Sequence, residues 1–153
     1  MIEQSLNQAV QWMLAPVLAS VAAAFAYALW CAGALAAEAL QRRRPGWRAL
    51  PDDAAMPVEE LELMALRRLE PVRLLARVSP LLGLIATMIP LGPALQAVAT
   101  GRPGQSLAAF GGAFTAVVLS LAAAAIGQVA HSVRRRWLLG ELLESRKARG
   151  VAE

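Results

Sequence analysis

The sequence predicts an all-α integral membrane protein. It has three transmembrane helices, its N-terminus outside, its C-terminus cytoplasmic and its last helix extended into the cytoplasm. Three observations carry this. The 153-residue chain is 58% hydrophobic with a mean hydropathy of +0.49, whereas soluble domains hold roughly 45–50% apolar residues. Only 5% of residues are aromatic, so the excess is Ala, Leu and Val, the stock of lipid-facing helices rather than of a dense soluble core. Finally, three long stretches carry no charge, and the cations crowd to one side of them. A soluble globule of this size cannot bury so much apolar surface. One Cys and one His also exclude a disulfide scaffold and a Cys/His metal centre.

The first stretch, Trp12 to Ala37, has 26 uncharged residues. At about 1.5 Å per residue it crosses a hydrocarbon core of about 30 Å with some tilt. Residues 12–37 are therefore transmembrane helix 1. Residues 1–11 hold Glu3 and no Lys or Arg, so a cleaved signal peptide is not expected. Residues 38–77 form a cytoplasmic loop. Its first part contains Pro45, Gly46, Pro51, Asp52, Asp53 and Pro57 and reads as a surface connection. An amphipathic helix follows over about 57–77: Pro57 suits a first turn, Glu59 and Glu60 lie near the positive end, and Leu61, Met64, Ala65, Leu69 and Val72 recur at helical spacing. Pro71 is expected to bend it at the membrane surface. The plain role of this helix is to cover the inner ends of the spans; docking a regulatory partner is the other.

Transmembrane helix 2 is 78–101, a run of 24 uncharged residues between Arg77 and Arg102. Transmembrane helix 3 is 106–133 and ends at the triplet Arg134, Arg135 and Arg136. In the tail, 134–153, Leu138, Leu139, Leu142 and Leu143 stand beside Glu141, Glu144, Arg146 and Lys147, a pattern that continues the helix as a long rod.

Orientation follows from counting cations. Lys and Arg number none before helix 1, eight in 38–77, one (Arg102) between helices 2 and 3, and six after helix 3. This asymmetry places 38–77 and the tail in the cytoplasm, with Arg42, Arg43, Arg44, Arg134, Arg135 and Arg136 as topology anchors. The sequence pI near 10.5 thus reports topology. Nucleic-acid binding is not expected, because the basic runs abut membrane ends and the loop also carries seven carboxylates.

Within the spans there is no Asp, Glu, Lys or Arg, although a proton pathway normally needs an ionisable group at that depth. Any proton acceptor is then expected from another chain. Glu38, at the edge of helix 1, reads most simply as solvated, His131 as a polar group reaching the interface, and Cys31 as a small apolar filler. The informative groups are hydroxyls, prolines and small residues. Pro80, Gly83, Thr87, Pro90 and Ala94 recur at spacings of 3 and 4, along one helical stripe. Pro90 and Pro93 free the carbonyls of Ala86 and Ile89, which in lipid must face protein or water. In helix 3, Gly112, Ala116, Ser120, Ala123 and Gly127 make a second small-residue stripe that permits close packing, with Thr115 on another face. Each stripe fits either packing or an ion pathway.

The segment Ser79-Pro80-Leu81-Leu82-Gly83-Leu84-Ile85-Ala86-Thr87 resembles the Ser-Pro-x-x-Gly-Leu-x-Gly-Thr signature of the MotA/TolQ/ExbB proton-channel family. Ser79, Pro80, Gly83, Leu84 and Thr87 match, and Ala86 replaces a glycine. Ala113 to Gly127 is similar to the family's last transmembrane helix, and three spans with one large cytoplasmic loop fit the ExbB/TolQ branch. Two features depart from the pattern. The cytoplasmic loop is much shorter, and the family's threonine would align near Val117, where this chain offers Thr115 and Ser120 nearby. The resemblance implies a compact, divergent member: a homo-oligomer, most simply a pentamer, in a bacterial-type inner membrane. Helices 2 and 3 of each subunit would line a pore, with Thr87, Thr115 and Ser120 along the proton pathway and Pro80, Gly83, Pro90, Ala94, Gly112, Ala116 and Gly127 in pore and helix packing. It also implies a single-span ExbD/TolR-like partner carrying a membrane Asp, through which proton-motive force energises a periplasmic or outer-membrane process such as transport. No bond-making catalysis, cofactor or metal is implied. The rival readings are a non-conducting structural scaffold and a small-solute channel.

Overall fold

A computed structural model describes residues 8, 11–44, 46–50, 56–101 and 103–148, with side chains from Phe110 onward in the last segment. Glu3, Pro45, Pro51, Asp52, Asp53, Arg102 and residues 149–153 lie outside the described residues, as do the side chains of 103–109. The described regular structure is three helices: α1 (Leu14–Gln41), α2 (Val58–Ala99) and α3 (Pro103–Ala148). Each contains a stretch long and apolar enough to cross a membrane.

Local chemistry explains the helix ends. Pro57, with extended backbone, precedes α2, and Glu59 and Glu60 lie in its first turn, where carboxylates meet the positive end of the helix dipole. At the other end the Thr100 hydroxyl donates to the carbonyls of Gln96 (3.0 Å) and Ala97 (3.2 Å). Gly101 then takes a φ of 73°, a left-handed conformation that side-chain-bearing residues resist. Pro103 opens α3, where its missing N–H and fixed φ are no handicap.

The amphipathic segment and the second long apolar stretch are one continuous helix. Pro71, Pro80, Pro90 and Pro93 all lie inside α2, which continues across each of them. The Pro71 ring is exposed while Leu69, Val72 and Leu75 on either side of it are buried, so packing holds the helix across the lost backbone bond. Likewise α3 runs without interruption through the Arg134–Arg136 triplet to Ala148.

Four buried clusters mark the path of the three helices. Val17 and Val21 meet Ala86, Ile89 and Ala116; Ala28 meets Leu75 and Ala123; Cys31 meets Val72 and Ala130. Numbers that rise in α1 and α3 fall in α2, so the helices run up, down and up. The fourth cluster joins Leu61, Ala65 and Leu69 of α2 to Leu138 and Leu142 of α3, with Leu50 of the connecting segment. There α1 has ended, and the paired helices α2 and α3 project beyond it. Cys31 is buried among apolar neighbours, as a small filler would be. Leu81, Leu84, Met88, Leu95, Phe114, Val118 and Val129 are exposed, and so broad an apolar surface calls for lipid or further protein against it.

Candidate functional site

The seam between α2 and α3 is lined by small residues at helical spacing. On α2 the buried row contains Ser79, Gly83, Ala86, Pro90 and Ala94; on α3 it contains Ala113, Ala116, Ser120, Ala123, Gly127 and Ala130. Two glycines set the closeness. A Cβ on Gly83 would lie 2.1 Å from Ser120 Oγ and 3.1 Å from Ser120 Cβ. A Cβ on Gly127 would meet the backbone of Ala76 at 3.2 Å. Between helices in lipid, dispersion contacts replace the hydrophobic effect as the driving force, and missing side chains are what permit them.

The expected stripes and the observed seam differ by small rotations. Gly83, Pro90 and Ala94 are buried, but Pro80 and Thr87 are only half-buried at the rim, and Ser79 and Ala86 take the covered places. On α3, Ala116 and Gly127 are buried, whereas Gly112 is exposed with nothing near it and Ala113 faces the seam. An ideal spacing pattern locates a stripe only to within a residue, because neighbouring rows of a helix differ by a fraction of a turn.

The three hydroxyls do not form one lining within the subunit. Ser120 is 0% exposed, sits opposite Gly83 and donates to the Val117 carbonyl at 2.8 Å. Thr87 is half-buried and donates to Leu84 O at 2.8 Å. Thr115 is exposed and donates to Gly111 O at 3.1 Å. Each hydroxyl proton is thus bound to its own helix, leaving oxygen lone pairs as the groups available to a neighbour. Ser79 Oγ is buried without a hydrogen-bond partner.

A second constellation lies where α1 ends. Glu38 accepts from Arg42 at 3.1 Å and from Arg134 Nε at 3.2 Å. Arg42 also pairs with Glu141 at 2.7 Å and lies over the rings of Trp47 (5.1 Å) and Trp137 (4.6 Å). Glu141 in turn accepts the backbone N–H groups of Ala49 (3.1 Å) and Leu50 (2.9 Å), and Arg68 donates to Ala49 O at 2.6 Å. Two cations and two carboxylates, each one-fifth exposed or less, neutralise one another and fasten α1, residues 46–50 and α3 together. Pairs this sheltered are screened less than surface ones. Glu38 is therefore a structural ion-pair member and not simply a solvated edge charge. Arg43, Arg44, Arg135 and Arg136 remain exposed. Sequence reasoning missed the network because its partners are up to 96 residues apart. The one local signal was Glu38 and Arg42 at i and i+4.

No family model, curated protein or solved structure matches the chain. Among the described residues no group of three or more His, Cys, Asp or Glu side chains could hold a metal ion. The arrangement available for chemistry is thus a tight two-helix seam with Ser79 and Ser120 buried inside it, Thr87 at its rim, and, among the described residues, charged groups beyond the apolar stretch.

Proposed function

We propose that this protein is an ExbB/TolQ-like subunit of an inner-membrane motor driven by proton-motive force. It energises a periplasmic or outer-membrane process, most simply transport, through a single-span ExbD/TolR-like partner. In this reading the arginine-rich end lies in the cytoplasm. The observation that carries the proposal is the α2–α3 pair: a continuous, closely packed apolar unit bearing the Ser79–Thr87 motif, with no ionisable side chain between Val78 and Gly101 or between Phe110 and Ala130. Hydroxyls have no accessible charged state near neutral pH, so they flank a carboxylate and do not replace it. The working ring then needs a protonatable residue from the partner, and the exposed apolar faces of α2 and α3 supply surface for other subunits in a homo-oligomer, most simply a pentamer.

The test is proton flux in liposomes. Alone, the purified chain leaks little; reconstituted with its single-span partner it conducts, and changing the partner's membrane Asp to Asn abolishes conduction. Strong flux from the isolated chain would favour the small-solute channel. Absence of flux with any partner that copurifies would favour the scaffold.

A further inference from the structure

Alongside their contact, α2 and α3 border a groove of about 730 Å³. Arg67, Arg73 and Arg77 of α2 and Arg135 of α3 line it, and Glu70 is the one carboxylate there. None of these four arginines pairs with a carboxylate among the described residues, as is also true of Arg43, Arg44, Arg68 and Arg136, but these four are gathered on one groove. His131 lines the same groove. Such a concentration of one sign between two helices repels itself and is relieved by an anion.

The position of the groove narrows the chemistry of that anion. Arg77 immediately precedes the uncharged stretch of α2, and Arg135 follows that of α3 by two residues, so the guanidinium groups stand at the level of lipid headgroups. On the apolar side of these arginines, Val78 and Leu81 of α2 are exposed, a track on which acyl chains can lie. Guanidinium forks match phosphate oxygens in pairs, and basic pockets between membrane helices on the cytoplasmic side are suited to anionic headgroups. We propose that this groove binds the phosphodiester of an anionic phospholipid, held by Arg73, Arg77 and Arg135. The inference rests on the membrane-spanning reading with the arginine-rich end inside; it does not depend on the motor.

Native mass spectrometry of the delipidated full chain in mild detergent tests it, with titrations of phosphatidylglycerol, phosphatidylcholine and inorganic phosphate. Phosphatidylglycerol adducts form in preference to phosphatidylcholine and persist in millimolar phosphate. At roughly fivefold per arginine near an anionic surface, the triple variant R73Q/R77Q/R135Q loses on the order of a hundredfold in apparent lipid affinity. A control, R43Q/R44Q/R136Q, removes the same charge outside the groove and keeps wild-type binding. R73K/R77K/R135K retains the charge without the forks and binds between the two, which secures the comparison should the glutamine variant fold poorly. Equal binding of the two lipids, or equal loss in the control, overturns the proposal. Full displacement by inorganic phosphate assigns the site to a free anion and overturns the lipid. The same spectra report oligomeric state, and loss of lipid only in parallel with loss of oligomer would make the groove a contact between copies, which also overturns it.

Discussion

Replacing Gly83 with alanine is the sharpest probe of the seam, because the structure says where the new atom goes. Its Cβ arrives 2.1 Å from Ser120 Oγ and 3.1 Å from Ser120 Cβ, against roughly 3.5–4.0 Å for a comfortable contact. Rotating Ser120 relieves the first clash but breaks its 2.8 Å bond to Val117 O; the second clash remains. Overpacking of this kind costs about 1–3 kcal/mol, offset by up to about 1 kcal/mol from the better helix propensity of alanine. A double-mutant cycle removes that propensity term. Ser120→Gly takes away both clashing atoms and leaves Val117 Cα, at 3.5 Å, as the nearest neighbour. The double variant Gly83→Ala/Ser120→Gly is therefore expected to be more stable than the sum of the single changes by about 1–3 kcal/mol. Reversible unfolding in mixed micelles of increasing SDS content, followed by fluorescence of the four tryptophans, measures each corner. Additivity within about 0.5 kcal/mol would refute direct packing of these two positions.

Four further outcomes follow from other parts of the molecule. Gly127→Leu should disrupt α2–α3 packing, because the Ala76 backbone at 3.2 Å has no rotamer to change, while Gly112→Leu, with open space around it, should leave subunit stability within about 0.5 kcal/mol; the same SDS titration separates them. Glu141→Ala should release residues 46–50, since two backbone N–H groups lose their acceptor at about 1–3 kcal/mol each; faster tryptic cleavage after Arg48 is the readout, and an unchanged rate would contradict the clamp. In the proposed motor, Thr87→Val, nearly isosteric and on the seam's rim, should lower partner-dependent proton flux without dissolving the oligomer; undiminished flux would remove Thr87 from the proposed pathway. In the proposed orientation, a cysteine at Asp53 labels from the cytoplasm and one at Gln105 from outside, and the reverse pattern would overturn the charge-based topology.

The three apolar helices could be read from the sequence because an uncharged run of this length has few other fates. A helix across Pro71 was legible in the spacing of Leu61, Met64, Ala65, Leu69 and Val72, but what holds it there was not: the proline removes one backbone bond, and only the burial of Leu69, Val72 and Leu75 shows what compensates. The seam was legible as a stripe but not in its register: Thr87 and Gly112 fit the spacing as well as Ala86 and Ala113 do, and the choice is made by the facing helix. The ion-pair network was the least visible. A carboxylate at the edge of a span looks the same in sequence whether water or a distant arginine meets it. That Glu38 meets Arg134 depends on α1 and α3 running parallel and in contact, so that the end of α1 lies beside the arginine triplet of α3.

The glycine pockets also govern how force passes along the molecule. At about 1.5 Å per residue α2 and α3 are rods of roughly 60–70 Å, about twice the thickness of a hydrocarbon core. Smooth rods of leucine can slide past each other with little resistance, since one side chain replaces another in the groove. Here Ser120 is keyed into the gap at Gly83, and the Ala76 backbone into the gap at Gly127, two pins about 10 Å apart along the axis. A slip of one residue would drive Cβ-bearing positions into both gaps at once. A push or twist applied to either helix at the Leu61–Leu142 end must therefore reach the far end of the pair as a single stiff lever.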